Sequence, residues 1–291
     1  GIFVMSDKFV KEHSGNSSDI TIYQESNQTT WKLSKMNLAI RNINSKFVKR
    51  NTESFLNDAH PDLKADFVVA NPPFNQKDRV DILAEDARWK YVPPKGNANY
   101  GWIQHMLYHL NPSNVMATVL ANGSLSSNSG EDIRKKLIEA DQVECILALP
   151  KQLFYNTGIP ACVWFLRRRT VRNKELLFID ASDMYMKDRT HRDLSDEDIQ
   201  TISSTYHNWR KSEDYEDVKG YCKSANMEDL EKHKFVLTPG RYVGIPDEID
   251  DGIPFEDKMA DLTTQLKSQM EKEEKMNENI KVQLEKIGFS L

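Results

Sequence analysis

The apolar run Ala65-Asp66-Phe67-Val68-Val69-Ala70 ends abruptly at Asn71-Pro72-Pro73-Phe74. The run reads as a buried strand. Two successive prolines, with fixed φ and no N–H, bar both continuation of the sheet and immediate entry into a helix. A polar amide at the tip of a core strand is expensive, because burying an unpartnered amide costs about 1–3 kcal/mol. That cost is understandable where the partner is a ligand. The exocyclic amino group of a planar base fits these donors and acceptors best. Asn-Pro also initiates ordinary turns, so the strand before it and the elements around it decide.

The chemistry such a turn suits is alkylation of a poorly nucleophilic amine. An adenine amino nitrogen delocalises its lone pair into the ring. Two acceptors facing its two N–H bonds, the Asn71 side-chain oxygen and the Pro72 carbonyl, localise that pair. Pro73 keeps the segment extended, and Phe74 offers a flat face on which a base stacks, worth about 1–3 kcal/mol. A methyl donor with a built-in leaving group, S-adenosylmethionine, needs no general base of tuned pKa; positioning and dipoles supply most of the acceleration. A base inside a duplex is out of reach until it is flipped out.

Short apolar runs alternate with helical patterns along the first 180 residues. Strands are expected at Thr21–Tyr23, Lys46–Val48, Ala65–Ala70, Val115–Ala121, Val143–Leu149 and Cys162–Leu166, with Leu176–Ile179 at an edge. Helices are expected over Thr29–Ile43, Gly101–Leu110 and Ile133–Ala140. Residues 75–100, rich in charge, proline and glycine, read as a mobile loop beside the site. Apolar strands alternating with helices imply an α/β, doubly wound, mostly parallel sheet that binds ligands at the carboxyl ends of its strands. The division expected is 1–180 for the catalytic domain, 181–250 for a polar extension and 251–291 for a long charged helix. In that helix Met259, Leu262, Leu266, Met270, Ile280, Leu284 and Ile287 recur at three- and four-residue steps. One narrow seam buries little in a globular core, which favours a partner over the chain's own domain.

Taken with the turn, several segments resemble the modification (methyltransferase) subunits of type I restriction–modification systems. They are Ile22-Tyr23-Gln24-Glu25-Ser26-Asn27, Thr29-Thr30-Trp31-Lys32-Leu33, Met36-Asn37-Leu38-Ala39-Ile40, Asp62 to Phe67, Gly101-Trp102-Ile103-Gln104-His105, Leu149-Pro150 to Phe154, Thr157-Gly158-Ile159-Pro160 and Leu237-Thr238-Pro239-Gly240-Arg241-Tyr242-Val243-Gly244. The resemblance spans nearly the whole chain and implies the S-adenosylmethionine-dependent methyltransferase fold and N6-methylation of adenine in double-stranded DNA. Asn71, Pro72, Pro73 and Phe74 then act on the base, and Phe154, with Tyr155 as rival, is an aromatic lid over it. Glu25 accepts the cofactor's ribose hydroxyls, and Glu53 stands where relatives often carry Asp for the cofactor adenine. Gly1 and Asn71 complete the cofactor's surroundings. The family's glycine-rich turn follows its first strand, and Gly1-Ile2-Phe3-Val4 looks like its tail, so the chain reads as a fragment. The implied partners are a DNA-specificity subunit meeting the carboxyl-terminal helix, a second modification subunit and a restriction subunit. The rival readings are a non-catalytic scaffold of such a complex and a stand-alone methyltransferase of RNA or protein glutamine. The terminal helix and the Thr238 to Gly244 segment argue against the last.

The formal net charge of −5 is unusual for a free-standing DNA binder, so grip on phosphates falls to local patches or partners. Arg167-Arg168-Arg169, Arg134-Lys135-Lys136 and Lys46 with Lys49-Arg50 are the candidate patches, each read first as a solvated element end. Cys145, Cys162 and Cys222 lie far apart, outside any zinc or disulfide spacing, and suit a cytoplasmic chain. No membrane-spanning run is visible. His105 and His109 are four apart but lack the acid of a zinc-protease helix, so they read as a structural pair and no metal is expected. His191-Arg192-Asp193-Leu194 lacks the later Asn and Asp-Phe-Gly of a kinase.

Overall fold

The computed structural model describes residues 2–14, 22–43, 46–47, 50–77, 86–94, 96–154, 157–168, 174–187, 192–246 and 254–289. In chain order the elements are α1 (Ile2–Ser14), β1 (Ile22–Tyr23), α2 (Gln28–Ile40), β2 (Lys46–Phe47), β3 (Ala65–Ala70), α3 (Asn99–His109), β4 (Leu110–Ala121), α4 (Gly123–Ser126) and α5 (Glu131–Glu139). They continue with β5 (Val143–Ala148), β6 (Ala161–Arg167), β7 (Leu176–Asp180), β8 (Met186–Lys187), β9 (Arg192–Asp193), α6 (Asp196–Lys211), β10 (Cys222–Ala225), α7 (Met227–Lys232) and α8 (Phe255–Lys286). The chain divides into two compact units, Gly1–Pro246 and Asp247–Leu291.

Six strands form the main sheet in the order β10-β7-β5-β6-β4-β3, and β1 pairs with β2 in a separate parallel ribbon. β3 runs parallel to β4, and β5 parallel to β7; β6 and β10 are antiparallel to their neighbours. Four of the six strands therefore share one direction, as expected of a mostly parallel doubly wound sheet.

Strand parity sorts the side chains into two cores, because successive residues point to opposite faces. Met116, Leu120, Ile146, Cys162, Trp164, Leu166 and Phe178 pack on one face with Ile103 and Leu107 of α3 and Leu137 of α5. Cys145, Leu147, Leu149, Ala161, Leu177 and Ile179 pack on the other with Trp209 of α6. A register shift between Val143 and Cys145 interrupts the alternation and leaves Glu144 fully buried. Arg167 Nε donates to its carboxylate at 2.6 Å and the Tyr206 hydroxyl at 2.8 Å, and Arg210 Nε lies 3.2 Å from its second oxygen. Burial and the neighbouring Glu144 push the Tyr206 hydroxyl's pKa strongly up, so it stays a donor.

Three expectations need correction. β3 is not buried on both faces: Val68 and Ala70 pack on the first core, but Phe67 is 70% exposed and Val69 56%. Among the described residues β3 pairs only with β4, which leaves one edge and one face uncovered. β7 is not an edge strand, since β10 pairs along its whole length. Residues 181–250 are not a segment set apart from the sheet: β10 joins it, and the first compact unit runs to Pro246. The Cys222-Lys223-Ser224-Ala225 strand is short and half polar, and gives little apolar signal.

In the second unit, α8 is 32 residues long, about 48 Å at helical rise, and none of its residues is buried. Met259, Leu262, Leu266, Met270, Ile280 and Ile287 are all exposed. Among the described residues, no helix is long and apolar enough to cross a membrane.

Candidate active site

β3 delivers Asn71 to the carboxyl end of the sheet. Asn71 is exposed, Pro72 buried, Pro73 exposed and Phe74 half-buried. The desolvation cost expected for a buried amide is therefore not incurred; the Asn71 head group is open to a ligand. Phe74 packs on the α6 side of the sheet, beside Phe154 from the segment that follows β5. Their ring centroids are 6.3 Å apart with planes at 81°, an edge-to-face pair. The fold thus unites two aromatic rings 80 residues apart in sequence. Tyr155 lies outside the described residues, as does Gly1.

The two acidic candidates meet in a second cluster, beyond the carboxyl ends of the parallel pair β1 and β2. Thr52 N–H donates to the Glu25 carbonyl at 2.7 Å, and Asn51 Nδ2 to the Ser26 carbonyl at 2.7 Å. Both residues are half-buried. Glu25 Oε1 accepts from Asn27 N–H at 2.9 Å, and the Asn27 side chain in turn caps α2 through Thr29 and Thr30 N–H. Glu53 Oε2 accepts from Leu56 N–H at 2.7 Å and closes the turn that follows it. Phe55 is core, stacked obliquely on Trp102 with centroids 4.3 Å apart and edge-on to Trp89.

The segment between these clusters differs from the mobile loop expected for 75–100. Residues 78–85 and 95 lie outside the described residues, but the rest is pinned. Arg88, with a side chain 4% exposed, donates to the Ser54 and Phe55 carbonyls at 2.6 Å each and to Asp86. The Arg88 contacts hold the Asp86 carboxyl below its ordinary pKa. Gln104 Oε1 accepts from Tyr91 N–H and its Nε2 donates to the Tyr91 carbonyl, both at 2.7 Å, so one amide side chain imitates a neighbouring strand. Asn75, Asn97 and Asn99 carry a second amide network, beginning at the residue that follows Phe74.

Asp58, His105 and His109 converge within 4.8 Å of one another. A cation already serves this group: Arg88 donates to His105 Nδ1 at 3.2 Å and lies 3.9 Å from Asp58 Oδ2. Burial first, then the neighbouring His109 and the Arg88 guanidinium, push the His105 pKa down to about 3. The accepting Nδ1 places its proton on Nε2. His109 spans Asp58 Oδ2 at 2.9 Å and the Leu63 carbonyl at 3.1 Å. The cluster ties the turn after Glu53 to α3. The two histidines stand out in the sequence; Arg88 and the three asparagines do not, because they lie in a polar stretch without periodicity. The one signal was the close recurrence Asn97-Ala98-Asn99 before a helix.

A mostly parallel α/β sheet with a proline-locked turn at a strand's carboxyl end defines the class of S-adenosylmethionine-dependent methyltransferases. Within it, residues 1–251 match the N-6 DNA Methylase family, and the chain belongs to that family. It is 51% identical to the type I restriction enzyme HindI methylase subunit of Haemophilus influenzae, over 99% of this chain and 67% of that one. It is 38% identical to the MjaIX methylase subunit of Methanocaldococcus jannaschii, over 99% of this chain and 54% of that one. The crystal structure of a type I restriction–modification methyltransferase subunit from Streptococcus thermophilus superposes with a TM-score of 0.68. That match has 29% identity and covers 75% of this chain and 47% of that one. The chain thus spans about half to two thirds of these relatives.

Proposed function

We propose that this protein methylates the N6 amino group of adenine in double-stranded DNA, as the modification subunit of a type I restriction–modification assembly. The observation that carries the reading is the exposed Asn71 at the carboxyl end of β3, with the Phe74 and Phe154 rings 6.3 Å apart. Asn71 Oδ1 and the Pro72 carbonyl accept the two amino hydrogens and hold the nitrogen's lone pair towards the methyl donor. Phe74 stacks on the extruded base, and Phe154 closes over it.

The donor, S-adenosylmethionine, supplies a methyl group already bonded to a positively charged leaving sulfur. The donor set fits its nucleoside half. Two half-buried acidic residues, Glu25 and Glu53, lie beyond adjacent parallel strands, the position in which an acid accepts ribose hydroxyls or an adenine amino group. Phe55, two residues beyond Glu53, packs with Trp89 and Trp102 in an apolar cluster.

The exposed seam of α8 docks a helical partner, and the DNA-specificity subunit is the partner proposed. With a net charge of −5, the chain relies on that partner for DNA affinity and for target choice. A second modification subunit and a restriction subunit complete the assembly.

Asn71→Ala tests the reading in the intact complex. Removing one preorganised partner of the reacting amine is expected to lower kcat by about 10²–10³. Methylation at the normal rate would refute the assignment.

A further inference from the structure

Asn75 follows Phe74 immediately and holds a left-handed backbone, φ 51°, which few residues other than glycine and asparagine adopt. Its N–H donates to Asn99 Oδ1 at 3.1 Å, and Asn99 Nδ2 donates back to Asn75 Oδ1 at 3.0 Å. The pair is reciprocal: one amide side chain clips both the main chain and the side chain of the residue that follows Phe74. Asn97 adds Nδ2 to the same Asn75 oxygen at 3.3 Å, and its own Oδ1 accepts from Asn99 N–H at 2.9 Å. Ala98 N–H donates to the Gln76 carbonyl at 3.0 Å. Asn99 is 1% exposed and opens α3, whose Tyr100, Ile103, Met106 and Leu107 sit in the first core. Tyr100 anchors that end of the helix further, donating to the Ser124 carbonyl at 2.6 Å.

We propose that Asn99, acting through Asn75, is a positioning residue that fixes the Asn71–Phe74 turn to α3 and so sets the angle at which Phe74 meets the target base. This rests on the reading that the turn handles the base. The two amides have unequal roles. Asn75 Oδ1 acts as an acceptor towards both Asn99 and Asn97, so an aspartate at 75 keeps that function and tolerates the left-handed backbone. Asn99 must both accept and donate, so an aspartate at 99 loses the donor. A purely structural role would show only as stability. A positioning role shows in turnover and in the state of the flipped base.

The test uses the assembled methyltransferase on a duplex containing its target site with the target adenine unmethylated, and with 2-aminopurine in place of that adenine for the fluorescence arm. Asn99→Ala and Asn99→Asp are expected to lower kcat by about 10- to 100-fold, as small misplacements of reacting groups do. DNA and cofactor dissociation constants stay within about twofold, and 2-aminopurine fluorescence on binding is changed. Asn75→Asp keeps at least about half the wild-type kcat by the same positional argument. If Asn99→Ala fails to fold, Asn75→Gly decides: glycine keeps the left-handed φ and deletes the acceptor, and the same loss of kcat is expected. Wild-type kcat and fluorescence in Asn99→Asp or Asn75→Gly overturn the inference. Asn71→Ala is run alongside. If it is inactive while the Asn99 variants are normal, only the positioning role fails; if Asn71→Ala is itself normal, the reading of the turn fails and this inference with it.

Discussion

Asn71 and Glu144 are two polar residues at strand positions, and their surroundings give them opposite fates. Asn71 stands exposed past the end of β3, free to take a ligand. Glu144 is wholly enclosed in β5, where Arg167 and Tyr206 donate to one carboxylate oxygen and the Arg210 guanidinium lies beside the other. Removing one partner of a buried ion pair leaves an uncompensated charge and costs about 3–5 kcal/mol. Arg167→Met leaves Arg210 as the remaining cation beside Glu144, so it is expected to lower the urea-derived unfolding free energy by less than that, about 1–3 kcal/mol, and a loss below about 1 kcal/mol would show that the pair is dispensable. His105 sets a pH dependence. Its folded pKa is pushed from 6.5 down to about 3, so the unfolded chain binds the proton that the folded chain refuses. The neutral-histidine contribution is complete above about 6.5 and is lost as pH falls from there towards 3, at up to about 1.4 kcal/mol per pH unit. The melting temperature should fall across that window, and His105→Gln should flatten the fall. Identical profiles for the two proteins would remove His105 as the cause.

α8 shows how an element's pattern reports its environment. Its apolar residues recur at three- and four-residue steps from Met259 to Met270 and again from Ile280 to Leu284, and no residue of the helix is buried. If the proposed docking of a specificity subunit on α8 holds, Leu262→Glu with Leu266→Glu should abolish co-purification with that subunit and leave helix content by circular dichroism unchanged. Retained capture would place the contact elsewhere. Such periodicity made α8, α2, α3, α5 and the strands β3, β5, β6 and β7 legible in the sequence to within a few residues. β10 was not legible, because Lys223 and Ser224 blur its alternation, nor was the fixed segment around Arg88, whose order comes from side chains grasping carbonyls more than 30 positions away. At the candidate site the turn and Phe154 were visible as motifs. Their adjacency was not, because it depends on how β5 and β3 lie in the sheet. The expected depth of β3 failed for a similar reason: an apolar run announces that it can be buried, while neighbouring strands decide how much of it is.

For the molecule as a whole, the main sheet acts as a partition. Phe74 and Phe154 lean on the side shared with α6, and α3 and α5 fill the other. Neighbouring strand positions thus report to different compartments. Ile146 and Ile179 make a matched pair, both buried and both isoleucine, on opposite sides. Trimming either to valine costs about 0.5–1.5 kcal/mol. Only Ile179→Val borders the compartment that backs the aromatic pair, so it alone should alter turnover, while Ile146→Val should register in thermal melts and nowhere else. Equal kcat values for the two would mean the wall does not insulate. If it does, roughly every second position along β5 to β7 is free to drift under selection for solidity alone, and the alternate positions answer also to the chemistry beside them.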